Sequence, residues 1–553
     1  MTAQDLTLPT KSCHNCRRRR WKCDRSLPVC QKCLHSGADC LGYGKLFVWN
    51  QGVASRGKMM GKSFEEMASM KKEGQEHCPS SKEREQSQRP GFSLTLVSNP
   101  GSGESPVSDP TKKEEMDTNM PLRWSLIDPL VKDLNRHSRY YLFHFATQLC
   151  GDMVIYDGPG HNPIRDLIPA TSAHPLLLQV MIANSAFHVH NLSRELIDAS
   201  IYQANRTPCL MAYYRSVSRF GGPFKSSYRD ALIAKQRSLS LLSQTVTLVD
   251  GTNFDVVLVS ILLLINYDLI ESGKDSWKVH MEGARKLISL VGNSSFQPQN
   301  MSRLRTCLLS DMLVFFILGS TLTFSSITKK LLPDSIDLEA ILKYAETNNY
   351  LSCPDPLLRI MLMSFELPDT GGKDCEDDIS IIQDQVKVLL EAALAFDPEK
   401  WAVTFQPASP FEDLEKRTRI ASAHRSAACL YIARVLPGTS PLISPTSDSA
   451  VISLPGLAND ILHHLSYLNP SDKVFKSIGW PIFLAGAESD IPAQQKWIME
   501  KLDSLWNEMF WGYILNVKEV LKLIWKCKER TTEGEEVCWV DEVKRMGTEL
   551  LIA

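Results

Sequence analysis

The segment CHNCRRRRWKCDRSLPVCQKCLHSGADC, residues 13–40, holds six cysteines in two copies of the pattern C-x2-C-x6-C. Zinc prefers four tetrahedral sulfur or nitrogen ligands, and a C-x2-C pair holds one ion from two sides. Two separate four-ligand sites need eight thiolates, so six are enough only where two of them bridge the ions. The pattern therefore predicts a zinc-stabilised module of two short helices and loops that binds two zinc ions through Cys13, Cys16, Cys23, Cys30, Cys33 and Cys40.

The other nine of the fifteen cysteines are scattered through apolar or loop sequence. The first residues, MTAQDLTLPTK, contain no apolar stretch of the kind that a secretory signal has, so we expect no secretion. In a reducing compartment, a dense cysteine block indicates a metal site and not a disulfide framework.

Charge divides the chain into a basic head and an acidic body. The whole chain has 61 Lys and Arg against 63 Asp and Glu, but residues 1–60 hold eleven basic and three acidic side chains. Six thiolates and two Zn²⁺ sum to −2, so the positive charge of the head comes from side chains. Most of it lies between the second and third cysteines, on what we predict to be a short helix with Arg17, Arg18, Arg19, Arg20 and Lys22.

A helix rich in arginine suits the DNA major groove, where guanine O6 and N7 accept a bidentate donor. The remaining cations would contact phosphates and make binding depend on salt. We therefore predict double-stranded DNA as a partner and these five residues as the contacts. The alternative is a structural zinc module, as in a protein-binding finger, whose charged side chains are only solvated. Basic runs of this kind also weakly indicate nuclear import.

The body of the chain has helical periodicity. Between Asp275 and Val291, seven side chains fall on one helical face: Trp277, His280, Met281, Ala284, Leu287, Ile288 and Val291. Residues 377–396 are similar, and no alternation of strands with helices is found. The apolar stretches Val256–Ile265 and Met312–Thr328 are too short for membrane spans of about twenty residues. We predict a large all-α domain with no membrane partner.

A composition change separates the two parts. Between Pro79 and Pro110, sixteen of thirty-two residues are Ser, Pro or Gly, which favours a flexible linker. Within the linker, Ser63 and Glu66 have the spacing of a capping box at the start of one short helix. The predicted organisation is a DNA-binding domain at 11–45, a largely disordered linker at 46–121 and the all-α domain at 122–553.

The cysteine block resembles the fungal zinc binuclear-cluster DNA-binding domain, in its six spacings and in the basic run after the second cysteine. This resemblance implies that Cys13 and Cys30 bridge, that one zinc takes Cys16 and Cys23, and that the other takes Cys33 and Cys40. Pro28 matches the family's loop proline. The family usually recognises a CGG triplet with residues that correspond here to Arg19 and Arg20, and Arg20 departs from the lysine of many members.

Two shorter motifs in the body are similar to the fungal-specific transcription-factor homology domain: Trp277-x2-His280-x2-Gly283-Ala284-x2-Leu287 and Phe396-Asp397-Pro398-x2-Trp401. The resemblance implies a nuclear, sequence-specific regulator of RNA polymerase II genes, with a regulatory body that recruits the transcription machinery or co-regulators. We expect no enzyme activity, since neither H-E-x-x-H nor G-x-S-x-G occurs. The alternative is an enzyme or scaffold in the helical body that the zinc module only targets.

The sequence leaves alternatives for the oligomeric state and for two segments of the body. The protein binds one triplet as a monomer, or it forms a homodimer through the helical body. Met312–Phe324 lines an effector pocket or packs in the core, and plain packing is favoured. The segment Glu535–Ala553 is an amphipathic activation segment or a final packed helix. The pair His463-His464 is expected on a helix surface without a metal, and His280 in the core.

Overall fold

The computed structural model describes residues 11–26, 30–36, 40, 131–158, 160–195, 223–249, 253–274, 276–290, 301–323, 330–367, 376–407, 409–410, 412–436, 453–530, 538–547 and 549–553. The chain divides into two compact units, residues 1–118 and 119–553. The predicted linker at 46–121, its short helix, Pro28 and Val291 lie outside the described residues, so these predictions are not tested.

The described part of the N-terminal unit contains two five-residue helices, α1 (His14–Arg18) and α2 (Gln31–His35). Each begins directly after a cysteine that opens one copy of the C-x2-C-x6-C pattern. Both helices are too short to be stable on their own, because a helix of this length forms only a single turn. Their stability therefore depends on what holds the cysteines together.

The second unit is helical. Among the described residues, its α-helices of four or more residues are α3 (Arg136–His144), α4 (Pro163–Asp166), α5 (Pro175–Glu195), α6 (Pro223–Val246), α7 (Phe254–Glu271), α8 (Trp277–Leu290), α9 (Arg303–Thr321), α10 (Leu338–Asn348), α11 (Asp355–Ser364), α12 (Glu376–Ala395), α13 (Pro398–Thr404), α14 (Leu414–Val435), α15 (Leu454–Ser466), α16 (Gly479–Glu488), α17 (Pro492–Met509), α18 (Tyr513–Arg530) and α19 (Trp539–Met546). In the described part of this unit, β-structure amounts to the isolated bridges Val154–Asn349 and Lys274–Leu550. The all-α prediction is confirmed.

Three helices form the centre of the body, because they are buried on every side. All side chains are buried from Val257 to Ile270 in α7, from Cys307 to Gly319 in α9, and from Gly479 to Glu488 in α16. The Trp480 indole N–H donates to Thr321 Oγ1 at 3.2 Å and joins α16 to α9. Helix α9 is long and apolar enough to cross a membrane, but 83% of its most apolar window is buried inside this body. The structure thus gives it the role of a core helix.

Helix α8 buries the apolar face that the sequence indicates. Trp277, Met281 and Leu287 are buried in the main core. His280 lies beside this face, with Nε2 at 3.5 Å from Asp268 Oδ2. Burial lowers the pKa of His280 to about 4, which keeps the ring neutral at physiological pH.

The second body motif fixes a short helix against the core. The Asp397 carboxylate accepts hydrogen bonds from the N–H groups of Glu399 and Lys400 and so caps α13. The Trp401 indole N–H then donates to the buried Glu346 carboxylate at 2.8 Å. The motif therefore has a structural role in this chain.

The end of the body is a packed helix. Trp539, at the start of α19, is fully buried, and its indole N–H donates to Glu488 Oε2 at 3.0 Å. Arg434 forms a two-point ion pair with the same carboxylate. Of the two alternatives for this segment, these contacts favour the packed helix.

Candidate metal centre and nucleic-acid interface

The two halves of the cysteine block fold alike. Cys13 is the N-cap of α1, and its sulfur accepts a hydrogen bond from the Cys16 N–H at 3.4 Å. Cys30 is the N-cap of α2, and its sulfur accepts one from the Cys33 N–H, also at 3.4 Å. The x2 spacing causes this, because it places the second cysteine one turn into the helix, beside the first.

The six thiols lie in one cluster. The sulfurs of Cys13, Cys16, Cys23 and Cys30 all lie within 4.8 Å of one another, and so do those of Cys13, Cys30, Cys33 and Cys40. Cys13 and Cys30 belong to both groups, and their sulfurs are 3.6 Å apart. None of the six forms a disulfide.

The spacing of the sulfurs fits zinc. Four sulfurs at about 2.3 Å from a tetrahedral ion are about 3.8 Å from one another. The Cys16–Cys30 and Cys13–Cys33 sulfurs are both 3.7 Å apart, one pair from each group. Cys16 and Cys33, which belong to different groups, are 3.9 Å apart, so the two groups form one compact cage.

Without a metal, most of these thiols hold their protons. Burial raises the pKa of Cys13, Cys30 and Cys33 above that of a free thiol. At Cys23, burial is outweighed by hydrogen bonds from the N–H groups of Cys13 and Arg25, which lower the pKa to about 7. Because zinc binds thiolates, zinc binding here must release protons.

Asp24 connects the two halves, a role that is not among the predictions from the sequence. Its carboxylate accepts hydrogen bonds from the Ser26 hydroxyl and from the N–H groups of Gln31 and Lys32, at 3.1 and 3.2 Å. These bonds, first the one from Ser26, hold the pKa of Asp24 well below its usual range. A carboxylate from the first half thus caps the helix of the second half. Its position directly after the third cysteine does not by itself indicate this contact, which is between the two halves.

The basic side chains form an exposed surface at the end of α1. Arg17, Arg19, Arg20 and Lys22 are exposed, and Arg18 is the last residue of α1. The helix ends in a Schellman motif, in which the Trp21 N–H donates to Cys16 O at 2.8 Å and the Arg20 N–H to Arg17 O at 3.3 Å. Arg20 has φ 55°, in the left-handed region where this motif usually has glycine. The prediction that all five basic residues lie on this helix is wrong for Arg19, Arg20 and Lys22, because α1 ends at Arg18. The helix instead begins at the cysteine cluster and leads directly into the basic surface.

The chain matches two family models. Residues 11–47 match the fungal Zn(2)-Cys(6) binuclear cluster domain, and residues 140–553 match the fungal specific transcription factor domain. The chain belongs to the fungal zinc-cluster transcription factors. Membership confirms the family prediction and establishes a transcription regulator whose N-terminal domain is of a zinc-binding, DNA-binding type.

Two curated relatives agree with this assignment. Over 609 residues, 98% of this chain and 97% of the relative, the chain is 28% identical to the acriflavine sensitivity control protein acr-2 of Neurospora crassa. Over 293 residues, 51% of this chain and 54% of the relative, it is 25% identical to the phomenoic acid biosynthesis cluster-specific transcriptional regulator of Leptosphaeria maculans. No solved structure matches the chain.

The other residues singled out in the body lie in the core or beside a carboxylate of the same helix. Met312, Phe315 and Phe316 pack in the main core, as the favoured alternative for this stretch requires. His464 lies on α15, with Nε2 at 3.5 Å from Asp460 Oδ1 one turn away.

Proposed function

We propose that this zinc-cluster regulator acts in the nucleus on RNA polymerase II genes and recognises a CGG-like triplet through α1 in the major groove. Two zinc ions would be held by the two overlapping sulfur groups, with Cys13 and Cys30 as the bridging ligands. Bound zinc supplies the free energy that the short helices lack and presents α1 to the duplex. The domain limits that we propose are 11–45, 46–121 and 122–553.

The basic residues have two different roles in DNA binding. Arg19 and Arg20, at the end of α1, contact guanine edges, each good bidentate contact giving about 1–3 kcal/mol of discrimination. Arg17, Arg18 and Lys22 contact phosphates and set the position of the module on the duplex. The observation that carries this proposal is that α1 begins at a shared cysteine and ends at the exposed arginines.

The test is a selection of random duplex DNA by the full-length, zinc-loaded protein at one near-physiological salt concentration. Enrichment of a CGG-like triplet supports the proposal. One enriched triplet indicates a monomer, and two at fixed spacing indicate a homodimer through the helical body. Absence of any enriched sequence, with zinc present by metal analysis, would overturn it.

The body would regulate the DNA-binding module and recruit the transcription machinery or co-regulators. The alternative, an enzyme or scaffold, has no support from the families, since both are transcription-factor domains. A body that converts a substrate after removal of residues 1–60 would favour that alternative. The relative of near-equal length is named for control of acriflavine sensitivity, so growth on acriflavine without this protein is the cellular measurement that we propose.

A further inference from the structure

The Trp21 indole is held firmly at the edge of the cysteine cluster. Its ring is half-buried and packs against the cysteine side chains. Its backbone N–H donates to Cys16 O at the end of α1. Backbone and ring are therefore both tied to the metal centre, so the position of this ring is set by the fold and not by its exposed neighbours.

Two cations from different halves of the module lie over this one ring. The Arg19 guanidinium carbon is 4.9 Å from the ring centroid, and the Lys32 Nζ is 5.8 Å from it. Both side chains are exposed. Cation–π attraction draws each of them to the indole, although the two positive charges repel each other.

The carboxylate in the described part of the module is engaged elsewhere and does not pair with these two cations. The acidic side chain within residues 11–26 and 30–36 is Asp24, whose carboxylate accepts bonds from Ser26 and from the backbone N–H groups at the start of α2. An exposed lysine held beside a rigid ring is suited to an external anion, and a DNA phosphate provides one beside the groove that α1 enters.

We infer that the DNA-contacting surface continues into the second half of the module, where Lys32 binds a backbone phosphate of the duplex. Trp21 is the positioning residue, because its ring lies within cation–π distance of both Lys32 and Arg19, which follows α1. This inference rests on the proposed function of α1. It assigns to Lys32 a role that the basic run alone does not contain.

The direct test is the salt dependence of binding by the full-length, zinc-loaded protein to a duplex with the selected triplet. The plot of log affinity against log salt has a negative slope, and Lys32→Gln should make it less steep by about 0.9, the value of one phosphate contact. Between 50 and 200 mM salt, its affinity should fall about 3.5-fold less than that of the wild type. Lys32→Arg, which keeps the charge, should restore the wild-type slope.

The role of the ring is tested by Trp21→Leu against Trp21→Phe. Leucine keeps apolar contact with the cluster but removes the aromatic face, whereas phenylalanine keeps it. With zinc content equal to the wild type, Trp21→Leu should show the reduced slope and a weaker preference for the triplet, and Trp21→Phe should show neither. If Trp21→Leu loses zinc, the phosphate contact is still tested by Lys32→Gln and Lys32→Arg, and Trp21→Phe remains the variant that tests the ring.

Two failures can be told apart. A wild-type protein that selects no sequence overturns the proposed function itself. A wild type that selects a triplet, together with a Lys32→Gln variant of unchanged slope, overturns only the phosphate contact. A reduced slope for Lys32→Gln but not for Trp21→Leu overturns the positioning by the ring.

Discussion

Single residues at the end of α1 combine a structural and a chemical demand. Arg20 occupies the left-handed position of the Schellman motif, where an L side chain is disfavoured by about 1 kcal/mol. Glycine would satisfy the backbone better at that position. An arginine there indicates that the chain needs the guanidinium more than it needs an unstrained helix end.

Arg20→Gly and Arg20→Ala should separate these two demands. Both variants lose the guanidinium, so we expect both to lose about 1–3 kcal/mol of preference for the triplet over a scrambled duplex. The glycine variant should be more stable than the alanine variant by about 1 kcal/mol, since only glycine adopts this φ without strain. Competition with a chelator measures the stability, and titration of both duplexes measures the preference. A full preference for the triplet in both variants would exclude Arg20 from base recognition.

Cys13 lies in both sulfur groups, so its removal should affect both metal ions. We expect Cys13→Ala to lose the bound zinc and, with it, specific DNA binding, because structural zinc contributes on the order of 10–16 kcal/mol to such a module. Mass spectrometry of the intact protein measures the zinc content. The matched control is Cys429→Ala, a buried thiol of α14 that should leave zinc and DNA binding unchanged. Wild-type zinc content in Cys13→Ala would refute the shared ligand.

At the scale of helices, sequence periodicity predicted the buried residues of a helix that has one face exposed to solvent. Helix α8 has such a face, and its buried residues Trp277, Met281 and Leu287 follow the predicted pattern. Helices α7, α9 and α16 have no polar face in the structure, so their sequences show apolar runs without a period. Run length could not predict which helices these three contact, and for α9 it is burial in the body that identifies a core helix.

Contact between helices explains why residue 319 is a glycine, which the sequence pattern did not indicate. Gly319 of α9 lies directly under the buried Trp277 ring of α8, and a Cβ added there would lie 2.7 Å from Cζ3 and 2.9 Å from Cζ2. Such a contact is shorter than van der Waals distance, and the rigid indole has no space to move in a packed core. The tryptophan of the body motif therefore requires this glycine.

Gly319→Ala should destabilise the body by about 1–3 kcal/mol, as overpacking of a dense core does. Gly283→Ala is the matched control, because Gly283 lies exposed on α8 and a Cβ there would meet nothing within 4 Å. The control should be neutral or more stable by up to about 1 kcal/mol, since alanine favours the helix. Urea unfolding followed by circular dichroism compares the two. Equal stability of both variants would contradict the close approach of α8 and α9.

At the scale of the whole molecule, the spacing of residues close in the sequence predicted the cysteine cluster. Contacts between residues far apart in the sequence could not be predicted in this way. The six cysteines and the basic run are adjacent in the sequence, so their pattern was sufficient to predict the cluster. Asp24 and Trp21 act between the two halves, through contacts with Gln31 and Lys32 that no spacing rule contains. In the body, the bond from Trp401 to Glu346 joins residues far apart in the chain.

Long-range packing also places a carboxyl group in the core that makes the body sensitive to pH. Asp311 of α9 is buried, and its carboxyl contacts Asn349 Nδ2 at 2.7 Å and Cys307 Sγ at 3.6 Å. Burial raises the pKa of Asp311 to about 7, although both hydrogen bonds oppose this. In the unfolded chain, the same carboxyl titrates near 3.9. The folded body therefore binds this proton more tightly than the unfolded chain does.

The stabilisation from this proton is complete below the unfolded pKa and is lost as the pH rises through the folded pKa of about 7. Asp311→Asn, which is neutral at every pH, should therefore gain stability relative to the wild type as the pH rises. We expect a gain of about 3 kcal/mol between pH 5 and pH 8. Thermal unfolding of both proteins across this range measures the difference, and Asp334→Asn, with a side chain 91% exposed, should leave the pH dependence unchanged. Parallel stability curves for Asp311→Asn and the wild type would mean that Asp311 does not hold its proton in the folded core.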